Sequence, residues 1–185
     1  MKLSIVAYGD PVLKKVCGPV EENYPSLKDL IANMWETMYH ASGVGLAAPQ
    51  VGLPIRLFVV DTGEIEDEPQ YKKVFINAQI LEETGEPWGF TEGCLSIPDI
   101  REEVFRKPNV LIRYQDENFL EHEELVTGFA ARVIQHEYDH IEGKLFTDKI
   151  NMLRKQLIKG KLDRITKGEV RADYKMKFPR QNKKR

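Results

Sequence analysis

Only two cysteines and four histidines occur among 185 residues. Two thiols in a chain with no visible secretory leader do not make a disulfide framework, so they are free for other chemistry. No apolar run approaches the roughly 20 residues that a bilayer-spanning helix needs, which excludes such a helix. No internal repeat is present, which excludes a solenoid. The one glycine-rich run, G-V-G-L-A-A-P-Q at residues 43–50, lacks G-x-G-x-x-G spacing and no lysine follows it. A nucleotide-binding reading is therefore weak. What is present is ordinary for a globular protein: 42% apolar and 30% charged residues, enough for one domain with a real core. The opening M-K-L-S-I-V-A-Y-G-D-P runs straight into folded-looking sequence with no signal or transit peptide, and the expectation is a bacterial cytoplasm.

Two of the four histidines fall in Q-H-E-Y-D-H-I-E-G, residues 135–143. On a helix, His136 and His140 project from one face, and two imidazoles so spaced can grip one divalent metal. Glu137 stands beside them, where a carboxylate can take a proton from water. The local sequence reads as helical. Thr127 is a candidate N-cap and Gly143 a candidate C′ residue, while Phe129, Val133, His136 and His140 share one stripe. The bland account is a core-facing stripe whose histidines bond to backbone.

A catalytic metal needs a third protein ligand. After His140 the chain runs I-E-G-K-L-F-T and holds no further histidine, and Asp163 and Glu169 are poorly placed acids. The ligand is then expected upstream, where the softest donors are Cys17 and Cys94. Cys94 lies in T-E-G-C-L-S-I-P, between a glycine that lets the backbone bend and Pro98, expected to end the segment. Cys17 sits in a turn with no other ligand-type residue and reads as an ordinary thiol. In the 43–50 run, Gln50 offers a neutral amide that can donate to a developing oxyanion.

Taken together, residues 43–50, 92–96 (E-G-C-L-S) and 135–140 (Q-H-E-Y-D-H) resemble the three signature motifs of the peptide deformylase family, in the right order. The resemblance runs from about residue 1 to about residue 165. It implies a metal-dependent hydrolase acting on N-formylmethionyl peptides as they are made. The expected ligands are Cys94, His136 and His140, leaving one position for water with a lowered pKa. Glu137 is expected to act as general acid/base while hydroxide attacks the formyl carbon. Gln50 and the Leu95 backbone N–H are the expected oxyanion donors. The resemblance also implies ferrous iron in the cell and zinc or nickel in the purified protein. For the substrate, Val44, Phe90, Phe129, Val133 and the stem of Arg132 are candidates to line an apolar methionine pocket. The Gly45 and Glu92–Gly93 backbones are candidates to pair with an extended peptide, and Arg101 is a candidate to orient Glu92. Two rival readings remain open. One is a metalloendopeptidase. The other is a structural zinc-binding protein, with Cys17, His40 and His122 as spare ligands.

The expected fold is α+β: short antiparallel sheets around a central helix carrying H-E-x-x-H, with an N-terminal and a C-terminal helix. Leu27, Leu30, Ile31, Met34 and Met38 repeat at helical spacing after a capping-box-like Ser26 and Asp29. Residues 55–60, 73–80, 104–105, 110–114 and 119–126 read as strands, 150–166 as an amphipathic helix, and 61–70 as an acidic, solvated loop. Residues 1–167 are expected to form one catalytic domain and 168–185 a basic tail, with 180–185 flexible. Residues 153–185 hold thirteen Lys or Arg and three acids, a formal +10, so residues 1–152 carry −12 within a chain of −2. In the expected helix, Ile150, Leu153, Leu157, Ile158, Leu162 and Ile165 pack inward, leaving Arg154, Lys155, Lys159, Lys161 and Arg164 outward. The ribosome, through its RNA, is a candidate partner of this basic segment, and neither DNA nor a membrane is expected as one.

Overall fold

The computed structural model describes residues 1–63 and 69–179. Strand β1 (Ile5–Val6) leads to helix α1 (Leu27–His40), then β2 (Gly45–Ala47), β3 (Leu57–Asp61) and β4 (Lys72–Thr84). A hairpin of β5 (Trp88–Cys94) and β6 (Ile97–Arg106) follows, then β7 (Asn109–Gln115), β8 (Glu121–Val126) and α2 (Gly128–Ile141). Helix α3 (Met152–Thr166) and the short β9 (Met176–Lys177) complete the chain. The mixed architecture is the α+β arrangement expected, with small, mostly antiparallel sheets and three helices.

Strand order in the largest sheet is β2-β3-β4-β7-β8, antiparallel throughout. Successive side chains of a strand face opposite ways. Leu57 and Val59 of β3 therefore pack with Ile31, Met34 and Met38 of α1, whereas Phe58 and Val60 pack with Ala131 and Ile134 of α2. Both faces are covered, which is why β3 reads as an unbroken apolar run. The β5–β6 hairpin is separate and joins α3 in a second packing unit, with Ile97, Ile100 and Val104 against Ile158, Leu162 and Ile165. Helix α2 thus runs between the main sheet and the hairpin, buried along most of its length.

Several local expectations are corrected. Ser26 caps nothing with its side chain, because its left-handed backbone (φ 54°) is not the extended conformation that N-capping requires. Thr127 does occupy the N-cap position of α2 in extended backbone, as expected, but makes no side-chain cap, and Gly128 follows it at φ 64°. Gly143 does follow the end of α2 in the left-handed region, at φ 69°. Pro98 does not end its segment. It is the second residue of β6, a strand of a two-stranded hairpin where a missing N–H is tolerated. That strand has ten residues, against the two expected. In α3, Leu153 and Leu157 are 65% and 61% exposed, so the buried stripe is the narrower Ile158, Leu162 and Ile165. The acidic loop falls partly on residues 64–68, outside the described residues, as does 180–185. Asp61 at the loop's start is buried and accepts from Tyr39 Oη at 2.6 Å and Gln70 Nε2 at 3.0 Å. Residues 169–179, read from sequence as part of a basic tail, return to the body. There β9 pairs in parallel with β1, and Val170, Met176 and Phe178 pack on the second core.

Candidate functional site

Helix α2 presents His136, Glu137 and His140 toward the end of β5, where the strand closes on Cys94 with a register irregularity between Gly93 and Cys94. The ligand atoms of Cys94, His136 and His140 all lie within 4.8 Å of one another, and Cys94 Sγ stands 3.4 Å from His140 Nε2. One thiolate and two imidazoles make a donor set suited to a transition metal. His136 has its Nδ1 engaged by Glu92 at 2.9 Å, leaving Nε2 as the ligand atom. A carboxylate behind a ligand histidine is the usual way its ring is oriented and made more basic. Cys17 is buried on the far side of α2 within the main core, its N–H bonded to the Ile141 carbonyl, and takes no part.

Glu92 is itself held by a buried ion network. It accepts from Arg106 Nε at 2.7 Å, Arg106 Nη2 at 3.0 Å and Arg132 Nη1 at 3.0 Å. Arg106 Nη1 continues to Asp139 at 2.7 Å. Burial opposes charge on Glu92, but the bonds from His136 and Arg106 outweigh it and hold the carboxyl well below the usual range. Burial likewise opposes charge on His136, yet bonds to Cys94 and Glu92 raise its pKa well above the histidine norm. Burial and the neighbouring His136 push His140 the other way. Arg101 does not orient Glu92: Arg106, Arg132 and His136 do, and Arg101 Nη2 stands 3.5 Å from the Thr91 carbonyl.

Glu137 is 4% exposed, and its Oε2 has no hydrogen-bond partner among the described residues. Burial pushes its carboxyl up to about 7. It lies against Gly45, where an added Cβ would stand only 2.5 Å from Oε1. Glycine there is required by close approach. The Gln50 side chain accepts the Ala47 N–H at 2.9 Å, and its Nε2 stands 3.4 Å from both Cys94 Sγ and Ser96 Oγ. An orphaned buried carboxylate oxygen beside three converging donors fits a bound cation with water next to it.

These groups open into a cavity of about 670 Å³. Its wall includes Val44, Gly45, Gln50, Phe90, Glu92, Gly93, Cys94, Leu95, Arg101, Phe129, Arg132, Val133, His136 and Glu137, so the residues singled out in the sequence converge on one cleft, with His140 buried behind it. Phe90 and Phe129 lie 5.6 Å apart by ring centroid. Arg132 is 2% exposed and lies over Trp88 at 4.3 Å, its guanidinium committed to Glu92 and to the Trp88 and Val104 carbonyls. Sequence reasoning missed Arg106, Asp139, Ser96 and the stretch Arg171–Tyr174, which also lines the cavity.

Fold and site together define an α+β protein with an H-E-x-x-H helix and a cysteine donor facing one cleft. The polypeptide deformylase family model matches residues 2–156, and the chain belongs to that family. A peptide deformylase of Christiangramia forsetii is 57% identical, the match covering 100% of both chains. One from Flavobacterium psychrophilum is 58% identical over 96% of this chain and 97% of the relative. Among solved structures, a peptide deformylase from Legionella pneumophila superposes with a TM-score of 0.79 at 37% identity, covering 89% of this chain and 95% of the other. The Thermotoga maritima enzyme gives 0.75 at 44% identity, covering 82% and 99%.

Proposed function

We propose that this chain is a metal-dependent hydrolase that removes the N-formyl group from the formyl-methionine of newly made polypeptides. The observation that carries the mechanism is the buried Glu137 carboxyl, whose Oε2 has no hydrogen-bond partner among the described residues, beside Cys94, His136 and His140. Those three residues would hold one divalent ion, which when bound supplies Lewis acidity toward water and a carbonyl oxygen. Glu137 takes a proton from the attacking water and passes it to the leaving amine, so that amide and water become amine and formate. The Gln50 amide and the Leu95 N–H donate to the formyl oxygen as it gains charge. The Glu92 carboxylate positions the His136 ring.

The methionine side chain enters the apolar end of the cavity among Val44, Phe90, Phe129, Arg132 and Val133. The Gly45, Glu92 and Gly93 backbones pair with the extended peptide, and Arg101 lines its path. Formyl carries only hydrogen on its carbonyl carbon, so a tight wall there excludes acetyl by size. Ferrous iron is the working metal, replaceable by zinc or nickel, since imidazole and thiolate suit each of them. The enzyme works in a bacterial cytoplasm. The two curated relatives named above are bacterial, and no helix of the described residues is long and apolar enough to cross a membrane. An anaerobic metal assay coupled to formate release from a formyl-Met peptide tests the reading. Cleavage inside unformylated peptides, without formate release, would replace it with an endopeptidase.

The basic C-terminal segment brings the enzyme to ribosomal RNA, where such substrates emerge. Lys155, Lys159 and Lys161 are exposed on α3, beside exposed Met152, Leu153 and Leu157. Co-sedimentation with ribosomes should fall steeply as salt rises and vanish in the triple variant Lys155→Glu, Lys159→Glu, Lys161→Glu, which leaves the buried Ile158, Leu162 and Ile165 of α3 in place. Equal pelleting of that variant would refute it.

A further inference from the structure

We infer that Tyr174, which lies beyond the residues matched to the family, is a positioning residue for the Leu95 peptide of the active site. The inference rests on the reading of the Leu95 N–H as an oxyanion donor. Leu95 and Ser96 are the two residues that turn β5 into β6. The central peptide of this turn carries the Leu95 carbonyl and the Ser96 N–H, and it joins the Cys94–Leu95 peptide, which carries the Leu95 N–H, at the Leu95 Cα. Tyr174 Oη donates to that carbonyl at 2.8 Å. The Tyr8 N–H donates to the next carbonyl, that of Ser96, also at 2.8 Å. On the other side Cys94 is held among Gln50 and His140. With both flanks fixed, the Leu95 N–H keeps one direction, and a donor costs no reorganisation in the transition state only when it is fixed beforehand.

Tyr174 is anchored in turn. The Ile5 N–H donates to the Lys175 carbonyl and the Ala7 N–H to the Lys177 carbonyl, each at 2.9 Å, through the parallel pairing of β1 with β9. Arg171, Asp173 and Tyr174 line the same cavity as Glu137. The family match ends at residue 156, so this wall of the cleft comes from a segment outside it. Tail, N-terminal strand and hairpin turn thus form one brace behind a proposed catalytic N–H.

Tyr174→Phe removes only the hydroxyl. In the metal-loaded full chain, kcat for a formyl-Met peptide should fall about three- to tenfold while KM and metal content hold. The Leu95 amide resonance should shift and its hydrogen exchange quicken, a readout independent of turnover. Thr166→Val is the control. It removes a different tether of the same region, Thr166 Oγ1 to the Tyr8 carbonyl at 3.3 Å, and should leave kcat and the Leu95 amide unchanged. Wild-type kcat with an unmoved Leu95 amide in Tyr174→Phe would overturn the inference, and so would equal losses in both variants. If the wild-type chain releases no formate, the proposed activity is wrong, while the Leu95 amide shift still decides whether Tyr174 positions that peptide.

Discussion

Glu137 combines two properties that rarely coexist: near-complete burial and an oxygen without a partner among the described residues. An ionised carboxylate in such a place is costly, and burial accordingly raises its pKa to about 7. A cation at the adjoining donors would favour the ionised form that the proposed role of Glu137 needs. Glutamine has the same shape but cannot accept the proton. Glu137→Gln should therefore keep its metal by elemental analysis while formate release falls about 10²–10⁴-fold. Turnover near wild type at saturating peptide would strip Glu137 of its role. At this scale the residues that converge on the candidate site, Cys94, His136, Glu137 and His140, were legible because each falls in a short contiguous motif. Arg106 was not, because a charged residue on the buried face of a strand resembles a surface charge until the strand's phase is known. Its phase was recoverable: Ile100, Glu102, Val104 and Arg106 alternate with exposed Arg101, Glu103 and Phe105. Tyr174 left no local signal, because its partner is 79 residues away in sequence.

Strand β2 and helix α2 meet where Gly45 faces Glu137, an approach that admits no side chain. A methyl there would meet Glu137 Cδ and Cγ at 2.8 Å as well as Oε1. The carboxylate must move, because the strand is fixed by its pairing with β3. Gly45→Ala should lose most activity while retaining metal and fold, checked by kcat, metal content and circular dichroism. Wild-type kcat would mean that the helix yields instead. A second element-scale test concerns the far edge of the same sheet. Glu124 of β8 accepts from Tyr71 Oη at 2.6 Å, Tyr114 Oη at 2.9 Å and Lys73 Nζ at 2.7 Å. Burial opposes its charge, but these bonds prevail and its pKa is lowered. A carboxylate lowered in the folded state stabilises above its unfolded pKa of about 4.3 and loses that contribution as pH falls through the folded value. The difference in urea midpoint between wild type and Glu124→Gln should shrink as pH drops below about 4. A difference constant with pH would show that the ion pair is not its source. Strands β3, β4 and β7 were legible from their apolar runs. Strand β5 was not read from the sequence and β6 only at residues 104–105, because Glu92, Glu102 and Arg106 are charges on buried faces and mask the alternation. The pairing of β1 with β9 joins opposite ends of the chain through two residues each, too short a signal for any periodicity.

The molecule has two packing units, the main sheet with α1 and α2 and the hairpin with α3, and the candidate metal site lies across their junction. Cys94 comes from the hairpin, while His136 and His140 come from the helix that faces the sheet. The buried Glu92–Arg106–Asp139 network crosses the same boundary, since Glu92 and Arg106 belong to the hairpin and Asp139 to α2. A cation held by all three donors therefore closes a contact between units that the unfolded chain cannot form. A ligand that binds only the folded state stabilises by about 2.7 kcal/mol at a hundred times its dissociation constant. For a chain of this size each kcal/mol raises the midpoint by roughly 2–4 °C, so zinc added to chelator-stripped protein should raise Tm by roughly 5–10 °C. Cys94→Ala should abolish that rise, because two imidazoles on one helix bind weakly and no longer bridge the units. Differential scanning calorimetry with and without zinc decides. A rise in Cys94→Ala equal to that of the wild type would show that the metal does not join hairpin to helix and would displace Cys94 from the donor set.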